Sequence, residues 1–158
     1  MKNRHKILSI FSLPTLLFLA TASQATAAPK EKDVIREILK IYEVMRLELV
    51  NDRPHKLPVL GKNLHKISQS FSKLNQTAKA LVDYTQGNIE KERSLYGDLS
   101  KEIVALLIKH PEFQKGRFLY QCPMVIGYPK WVQNTDKIEN PYMGQSMLAC
   151  GGRTPWRL

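Results

Sequence analysis

Five sulfur-containing side chains lie close together in the last quarter of the 158-residue chain. They are two cysteines and three methionines within a span of 29 residues: Cys122, Met124, Met143, Met147 and Cys150. Thiolate and thioether sulfurs are soft ligands, which select ions such as Cu(I) over magnesium, calcium or manganese. The segment is therefore chemically suited to hold Cu(I) or Ag(I). Zinc is disfavoured, because a thioether is a poor zinc ligand and no histidine follows His110.

The N-terminus indicates export, since residues 1–27 are typical of a cleaved signal peptide. Three basic residues precede an apolar run at 7–20, and Ala25-Thr26-Ala27 offers a small-x-small cleavage site. The run is shorter than the roughly 20 residues that span a bilayer, so we expect cleavage rather than anchoring. Residues 28–158 would then form a periplasmic or secreted protein without a transmembrane span.

The net charge of +10 first suggests a nucleic-acid partner. The signal peptide carries three positive charges and no negative one, so the mature chain retains 21 basic and 14 acidic residues, a net charge of +7. These basic residues are dispersed rather than grouped in a run of about five to eight. An exported protein also rarely meets DNA, and we expect no nucleic-acid partner.

A disulfide is the main alternative to a metal site, because exported proteins often bridge a pair of cysteines. A Cys122–Cys150 bridge would close a loop of about 28 residues and contribute roughly 3 kcal/mol in the chain-entropy model. The methionines could also be gap-filling core residues. Against this, the spacings of four and three from Met143 through Met147 to Cys150 would place all three on one side of a helical turn. Composition and spacing leave these alternatives open.

Apolar residues recur at helical spacing through the first part of the mature chain. The stripe of the first helix is Ile35, Ile38, Tyr42, Met45 and Leu49, and that of the second is Leu60, Leu64, Ile67, Phe71 and Leu74. A shorter third segment covers about 78–84, and a fourth helix covers about 89–109. We predict a mainly α fold, an antiparallel four-helix bundle over about 32–110 within a single domain, 28–158.

The C-terminal part differs from the helices in composition, with both cysteines, both tryptophans and five of the eight glycines beyond residue 115. Short strands are predicted at 118–120 and 131–133, in an irregular segment at about 118–151 that carries the cysteines and methionines. A helical turn is predicted within 142–150. We expect residues 153–158 to form a loose end.

Several motifs follow one another in a fixed order in this segment. They are Cys122-Pro123-Met124, Trp131, Asn140-Pro141-Tyr142, Gly144 and Met147-Leu148-Ala149-Cys150-Gly151. The set resembles a domain family of unknown function that occurs alone in exported proteins and at the end of CusB-like adaptor subunits of heavy-metal efflux pumps. The fourth helix is also similar, in Ile89-Glu90-Lys91-Glu92-Arg93 and Leu99-Ser100. The resemblance covers essentially the whole mature chain, weakly in the first two helices and specifically in the C-terminal segment.

The resemblance implies a small helical bundle with a sulfur-bearing segment, associated with copper or silver handling. It suggests four ligands: Cys122, Met124, Met147 and Cys150. Met143 stands where the family has an aromatic or variable residue, which argues against a ligand role for it.

We therefore expect an exported protein that binds Cu(I) or Ag(I) and buffers it or passes it to a partner such as a heavy-metal efflux adaptor. Trp131 and Tyr142 would shield the ion or make a cation–π contact with it, and Asn140 would support the site. The alternative is a disulfide-stapled helical module that docks on an envelope or efflux partner without metal. We expect no enzyme, because no catalytic constellation and no Cys-x-x-Cys can be named from the spacing.

Overall fold

Four α-helices precede a small antiparallel sheet in the computed structural model, which describes residues 30–84 and 88–158. The predicted signal peptide lies outside these residues. The helices are α1 (Glu31–Val50), α2 (Leu57–Ile67), α3 (Ser72–Asp83) and α4 (Ile89–Lys109), and the strands are β1 (Phe118–Gln121), β2 (Lys130–Gln133) and β3 (Gly152–Arg153). The described chain is thus mainly helical, as predicted. No helix among these residues combines the length and the apolar character needed to cross a membrane.

Helix α1 forms where the apolar stripe predicts it, and the side chains of that stripe are buried. Ile35, Ile38 and Met45 have no exposed surface. Burial of each such side chain contributes on the order of 2 kcal/mol to the stability of the fold, before the loss of conformational entropy is subtracted. The helix ends at Val50 with Asn51 as its C-cap, and Asp52 takes the left-handed conformation, with φ 54°, that turns the chain away.

The second predicted helix is two helices in the structure, so its single span to residue 74 is wrong. Helix α2 ends at Ile67 and α3 begins at Ser72. In between, Asn75 Nδ2 donates to the Ser68 hydroxyl at 3.1 Å and to the His65 carbonyl at 2.7 Å. The apolar spacing cannot reveal this turn, because the stripe continues in register across it. The predicted third segment is the second half of α3.

Consecutive helices pack against each other, α1 on α2, α2 on α3 and α3 on α4, and α4 also contacts β2. Helices α2 and α3 lie close together at Gly61, where a Cβ would stand 2.9 Å from Leu81 Cβ. The sheet is thus attached to the last helix of the series.

Strand β1 lies in the middle of the sheet, between β2 and β3. The two strands predicted from the sequence are confirmed as β1 and β2. The loose end is a wrong prediction, because β3 pairs with β1. Beyond β3, the Thr154 N–H donates to the Leu119 carbonyl at 2.9 Å, and Lys130 Nζ donates to the Arg157 carbonyl at 2.7 Å.

Buried hydroxyl groups attach β2 to the helices. Tyr42 accepts from the Val132 N–H at 3.2 Å and donates to Ser100 Oγ at 2.7 Å. Ser100 Oγ in turn donates to the Lys130 carbonyl at 2.8 Å, and the Tyr142 hydroxyl donates to that same carbonyl at 2.7 Å. Side chains of α1 and α4 therefore satisfy main-chain groups of β2 that face away from β1.

We expect Tyr42→Phe to lower the free energy of unfolding by about 1–3 kcal/mol, because the buried Val132 N–H loses its acceptor. Urea unfolding of the reduced protein, followed by circular dichroism, measures this. The matched control is Tyr84→Phe, which removes a hydroxyl bonded only at 3.5 Å and should change stability by less than about 0.5 kcal/mol. Equal stabilities of the two variants would contradict the role of Tyr42.

Candidate metal centre

Three sulfur atoms meet just beyond the end of β1. Cys122 Sγ lies 3.4 Å from Cys150 Sγ, and Cys150 Sγ lies 3.7 Å from Met124 Sδ. We call these three atoms the sulfur cluster. Both cysteines are unbonded thiols, since a disulfide bond measures about 2.05 Å. The structure thus brings together three of the four predicted ligands.

Strand pairing explains how two cysteines that are 28 residues apart come together. Gln121, the last residue of β1, pairs with Gly152 of β3. Cys122 directly follows Gln121, and Cys150 lies two positions before Gly152, so the pairing brings the two cysteines close to each other. The Cys122 N–H also donates to the Pro129 carbonyl at 3.0 Å, which holds Cys122 to the chain entering β2.

Gly151, between Cys150 and β3, has a backbone conformation that side chains rarely adopt, with φ 128°. A Cβ at this position would stand 2.8 Å from the Gln121 carbonyl oxygen and 3.0 Å from the Trp131 ring. Only a residue without a side chain lets Cys150 approach β1 this closely.

Asn140 holds the segment that carries Cys150. Its side chain is completely buried, and Nδ2 donates to the Cys150 carbonyl at 2.7 Å. Its Oδ1 accepts from the N–H groups of Tyr142 at 2.8 Å and Met143 at 3.3 Å. Asn140 thus forms a hydrogen-bonded turn that positions Cys150.

Aromatic residues pack beside the chain segment that carries Cys150. Trp131 is completely buried, and its ring lies against Gly151, the neighbour of Cys150. It stacks on Tyr120 with a centroid distance of 5.6 Å and meets Tyr142 edge-on at 5.9 Å. Trp131 thus contacts the residue next to Cys150, whereas Tyr142 contacts the Trp131 ring.

Met143 and Met147 take no part in the two sulfur contacts. The predicted helical turn is confined to a 3-10 turn at Gly144–Ser146, so it does not align the two methionines with Cys150. Met147 is joined to Cys150 through the main chain, since its carbonyl accepts the Cys150 N–H at 3.0 Å. Its side chain is 40% exposed, whereas Met143 is partly buried against the core.

The sulfur cluster runs from the core to the surface. Cys122 has no exposed surface, Cys150 is partly buried and Met124 is 56% exposed. A hydrogen bond with the Cys122 thiol raises the pKa of Cys150, and desolvation raises it further. Because soft metals bind the thiolate, metal binding would release protons, and the affinity would increase with pH.

Two buried arginines that sequence reasoning missed hold the chain segment before Tyr142. Arg46 of α1 donates to the Glu139 carbonyl at 3.1 Å, and Arg93 of α4 donates to the Pro141 carbonyl at 3.2 Å. Each arginine also pairs with a glutamate three residues earlier in its own helix, at 2.8 and 2.9 Å. The Glu-x-x-Arg spacing was visible in the sequence, but it is typical of exposed helix faces as well.

No group of three His, Cys, Asp or Glu side chains within residues 30–84 and 88–158 is placed to hold a metal ion. The third donor of the sulfur cluster is the thioether of Met124. No protein-family model matches the chain, and comparisons with curated proteins and with solved structures give no significant match.

We expect Gly151→Ala to destabilise the protein by about 2 kcal/mol or more, because the new Cβ adds a backbone clash to the strained φ. Gly116→Ala is the control: its φ is 74°, but nothing lies within 4 Å of its Cβ position, so only the conformational term of about 1 kcal/mol applies. Urea unfolding compares the two variants. A Gly151→Ala protein as stable as Gly116→Ala would refute the close approach of Cys150 to β1.

In the metal-free protein we expect the rate at which iodoacetamide alkylates Cys150 to reach half its maximum at a higher pH than for an ordinary cysteine. The reason is that the pKa of Cys150 is raised. Cys122→Ala removes the hydrogen bond that is the largest cause of this raised pKa, so the midpoint of the alkylation rate should move to lower pH. Peptide mapping by mass spectrometry after timed alkylation follows Cys150 separately. An unchanged or higher midpoint in the variant would show that Cys122 does not control the Cys150 thiol.

Proposed function

We propose that this is an exported protein that binds Cu(I) or Ag(I) and buffers the ion or hands it to a partner in heavy-metal efflux or resistance. The observation that carries the proposal is the sulfur cluster, in which Cys150 Sγ lies 3.4 Å from Cys122 Sγ and 3.7 Å from Met124 Sδ. The proposed role is binding rather than catalysis, and it involves no nucleic acid.

The spacing of the cluster supports a bound ion. With metal–sulfur bonds of about 2.3 Å, sulfur ligands stand roughly 3.7–4.0 Å apart in tetrahedral or trigonal geometry. The contacts of 3.4 and 3.7 Å are close to this range, so small side-chain rotations would open the site. Two thiolates with a thioether make a donor set for a soft monovalent ion rather than for zinc.

The proposed ligands are Cys122 and Cys150 as thiolates and Met124 as a thioether, with Met147 as the fourth. Met147 is supported only by its main-chain bond to Cys150 and by the resemblance described above. The exposed methionines suit release to a partner, because an incoming ligand can reach them from solvent. Buried Cys122 would retain the ion.

The remaining parts of the proposal concern architecture and location. Four consecutive helices with short connections support an antiparallel four-helix bundle over about 32–110. The basic n-region, apolar run and Ala25-Thr26-Ala27 support a cleaved signal peptide and a periplasmic or secreted location. A heavy-metal efflux adaptor is the proposed partner, on the resemblance of the C-terminal motifs.

The second candidate is a disulfide-stapled helical module that docks on an envelope or efflux partner without metal. The 3.4 Å between the two Sγ atoms favours it, because a short movement would form the bond. Mass spectrometry of protein isolated from its native compartment without reductant, with and without alkylation, distinguishes the two. Complete bridging supports the stapled module, whereas free thiols support the metal site.

Titration of the reduced protein with Cu(I) against a competing chelator should give one bound ion per chain. The Cys122→Ser/Cys150→Ser variant should not bind, and Met124→Leu should bind about tenfold or more weakly, in the range of lost metal-site support. Met45→Leu is the control, the same substitution at a fully buried core position of α1, and its affinity should be unchanged.

Met147→Leu in the same titration tests the fourth ligand. A loss similar to that of Met124→Leu supports it, and an affinity equal to that of the Met45→Leu control excludes it. Absence of Cu(I) binding by the reduced protein, or binding that survives the double cysteine substitution, would overturn the proposed function.

A further inference from the structure

A groove of about 450 Å³ lies beside the sulfur cluster, between α4 and the loop from Met124 to Tyr128. Gly97 of α4 lets the loop come close, since a Cβ there would stand 3.4 Å from the Tyr128 carbonyl oxygen. The volume is within the range of about 300–1,000 Å³ that is typical of ligand sites. The groove is thus large enough for a few side chains of a partner segment.

One wall of the groove, on the side of the loop, carries exposed apolar side chains. Ile126 at the tip of the loop is 100% exposed and Met124 is 56% exposed, and the partly buried Val125 and Met143 line the groove with them. Large apolar side chains grouped at a surface are typical of an interaction site, because covering them removes apolar area from water.

The rim of the groove is acidic. Glu90 and Asp98, both exposed, lie two helical turns apart on α4. Arg93, a cation that lines the groove, is bonded to both Glu90 and Asp52 at 2.9 and 2.5 Å. The charged side chains that line the groove, Glu90, Asp98 and Arg93, therefore carry a net charge of −1 at neutral pH, on a chain whose formal net charge is +10. The charge favours a basic occupant.

The groove and the sulfur cluster share Met124. Its side chain lines the groove, and its Sδ lies 3.7 Å from Cys150 Sγ. An occupant of the groove would therefore lie next to the exposed end of the cluster. A soft donor on that occupant, such as a thioether, could exchange with Met124 for a bound Cu(I) or Ag(I) without the ion entering water.

We propose that this groove docks a basic segment of a partner protein that carries methionine, so that the metal passes between the Met124 thioether and a methionine of the partner. This inference rests on the proposed function, whose ion it transfers. The apolar wall would receive the methionine side chains, and Glu90 and Asp98 would pair with lysine or arginine of the segment.

The test is isothermal titration of the reduced, metal-free protein with a short synthetic peptide in which lysine and methionine alternate. Saturable binding that weakens with added salt is expected, because the ion pairs lie at the surface. The Glu90→Gln/Asp98→Asn variant should bind about tenfold more weakly, as expected for the loss of two exposed ion pairs. Glu37→Gln/Asp83→Asn makes the same change of charge on α1 and α3 and should bind as the unmodified protein does.

Ile126→Ser is a second variant, and it leaves the charge unchanged. Because Ile126 is fully exposed at the tip of the loop, this substitution should not disturb the fold. This variant should also bind the peptide more weakly. Equal binding of a peptide with glutamate in place of lysine, or identical affinities of the groove and control variants, would overturn the proposal. Concentration-dependent self-association that Ile126→Ser abolishes would assign the groove to a second copy of the chain and overturn it too.

A direct Ag(I) titration of the same proteins separates this inference from the proposed function. Ag(I) binding by every variant, together with no peptide binding, refutes the docking groove alone. Peptide binding that depends on the groove, together with no Ag(I) binding, refutes metal transfer and leaves a docking surface for a basic segment. Ag(I) binding together with peptide binding at the groove, followed by movement of Ag(I) to the peptide, would support the inference in full.

Discussion

Attachment of β2 to the helices is the constraint on which the C-terminal segment depends. The Lys130 carbonyl accepts hydrogen bonds from Ser100 and Tyr142, and the Val132 N–H donates to Tyr42. These groups are buried, where an unpaired main-chain group costs about 1–3 kcal/mol. With β2 held in place, β1 and β3 follow by pairing, and the two cysteines come to lie at the same end of the sheet.

The segment that leads to Cys150 is also held by hydrogen bonds from two buried arginines. Arg46 and Arg93 reach from α1 and α4 to the carbonyls of Glu139 and Pro141, and Asn140 between them binds the Cys150 carbonyl. A buried guanidinium is tolerated only when its charge is paired and its N–H groups are used. The helices thus position the sulfur cluster through main-chain contacts, which leaves the sulfur side chains themselves available for a ligand.

Sequence reasoning was most successful where a pattern is local. The ends of α1 and α4 and the position of β1 and β2 follow from apolar spacing and from the residues that interrupt it. It was wrong at the turn between α2 and α3, where Asn75 closes a break that the apolar stripe does not show. It was wrong again at residues 153–158, because Thr154 bonds to β1 across a long stretch of chain.

By itself the sequence determined which chemistry was available, since the types of the five sulfur side chains and their order are properties of the chain alone. It left open which sulfurs meet. The tertiary structure decided that Cys122, Cys150 and Met124 come together, while Met147 makes its contact with Cys150 through the main chain. The reason is physical: strand pairing and the packing of Gly151 on Trp131 set distances between residues far apart in the chain, and no spacing along the sequence encodes them.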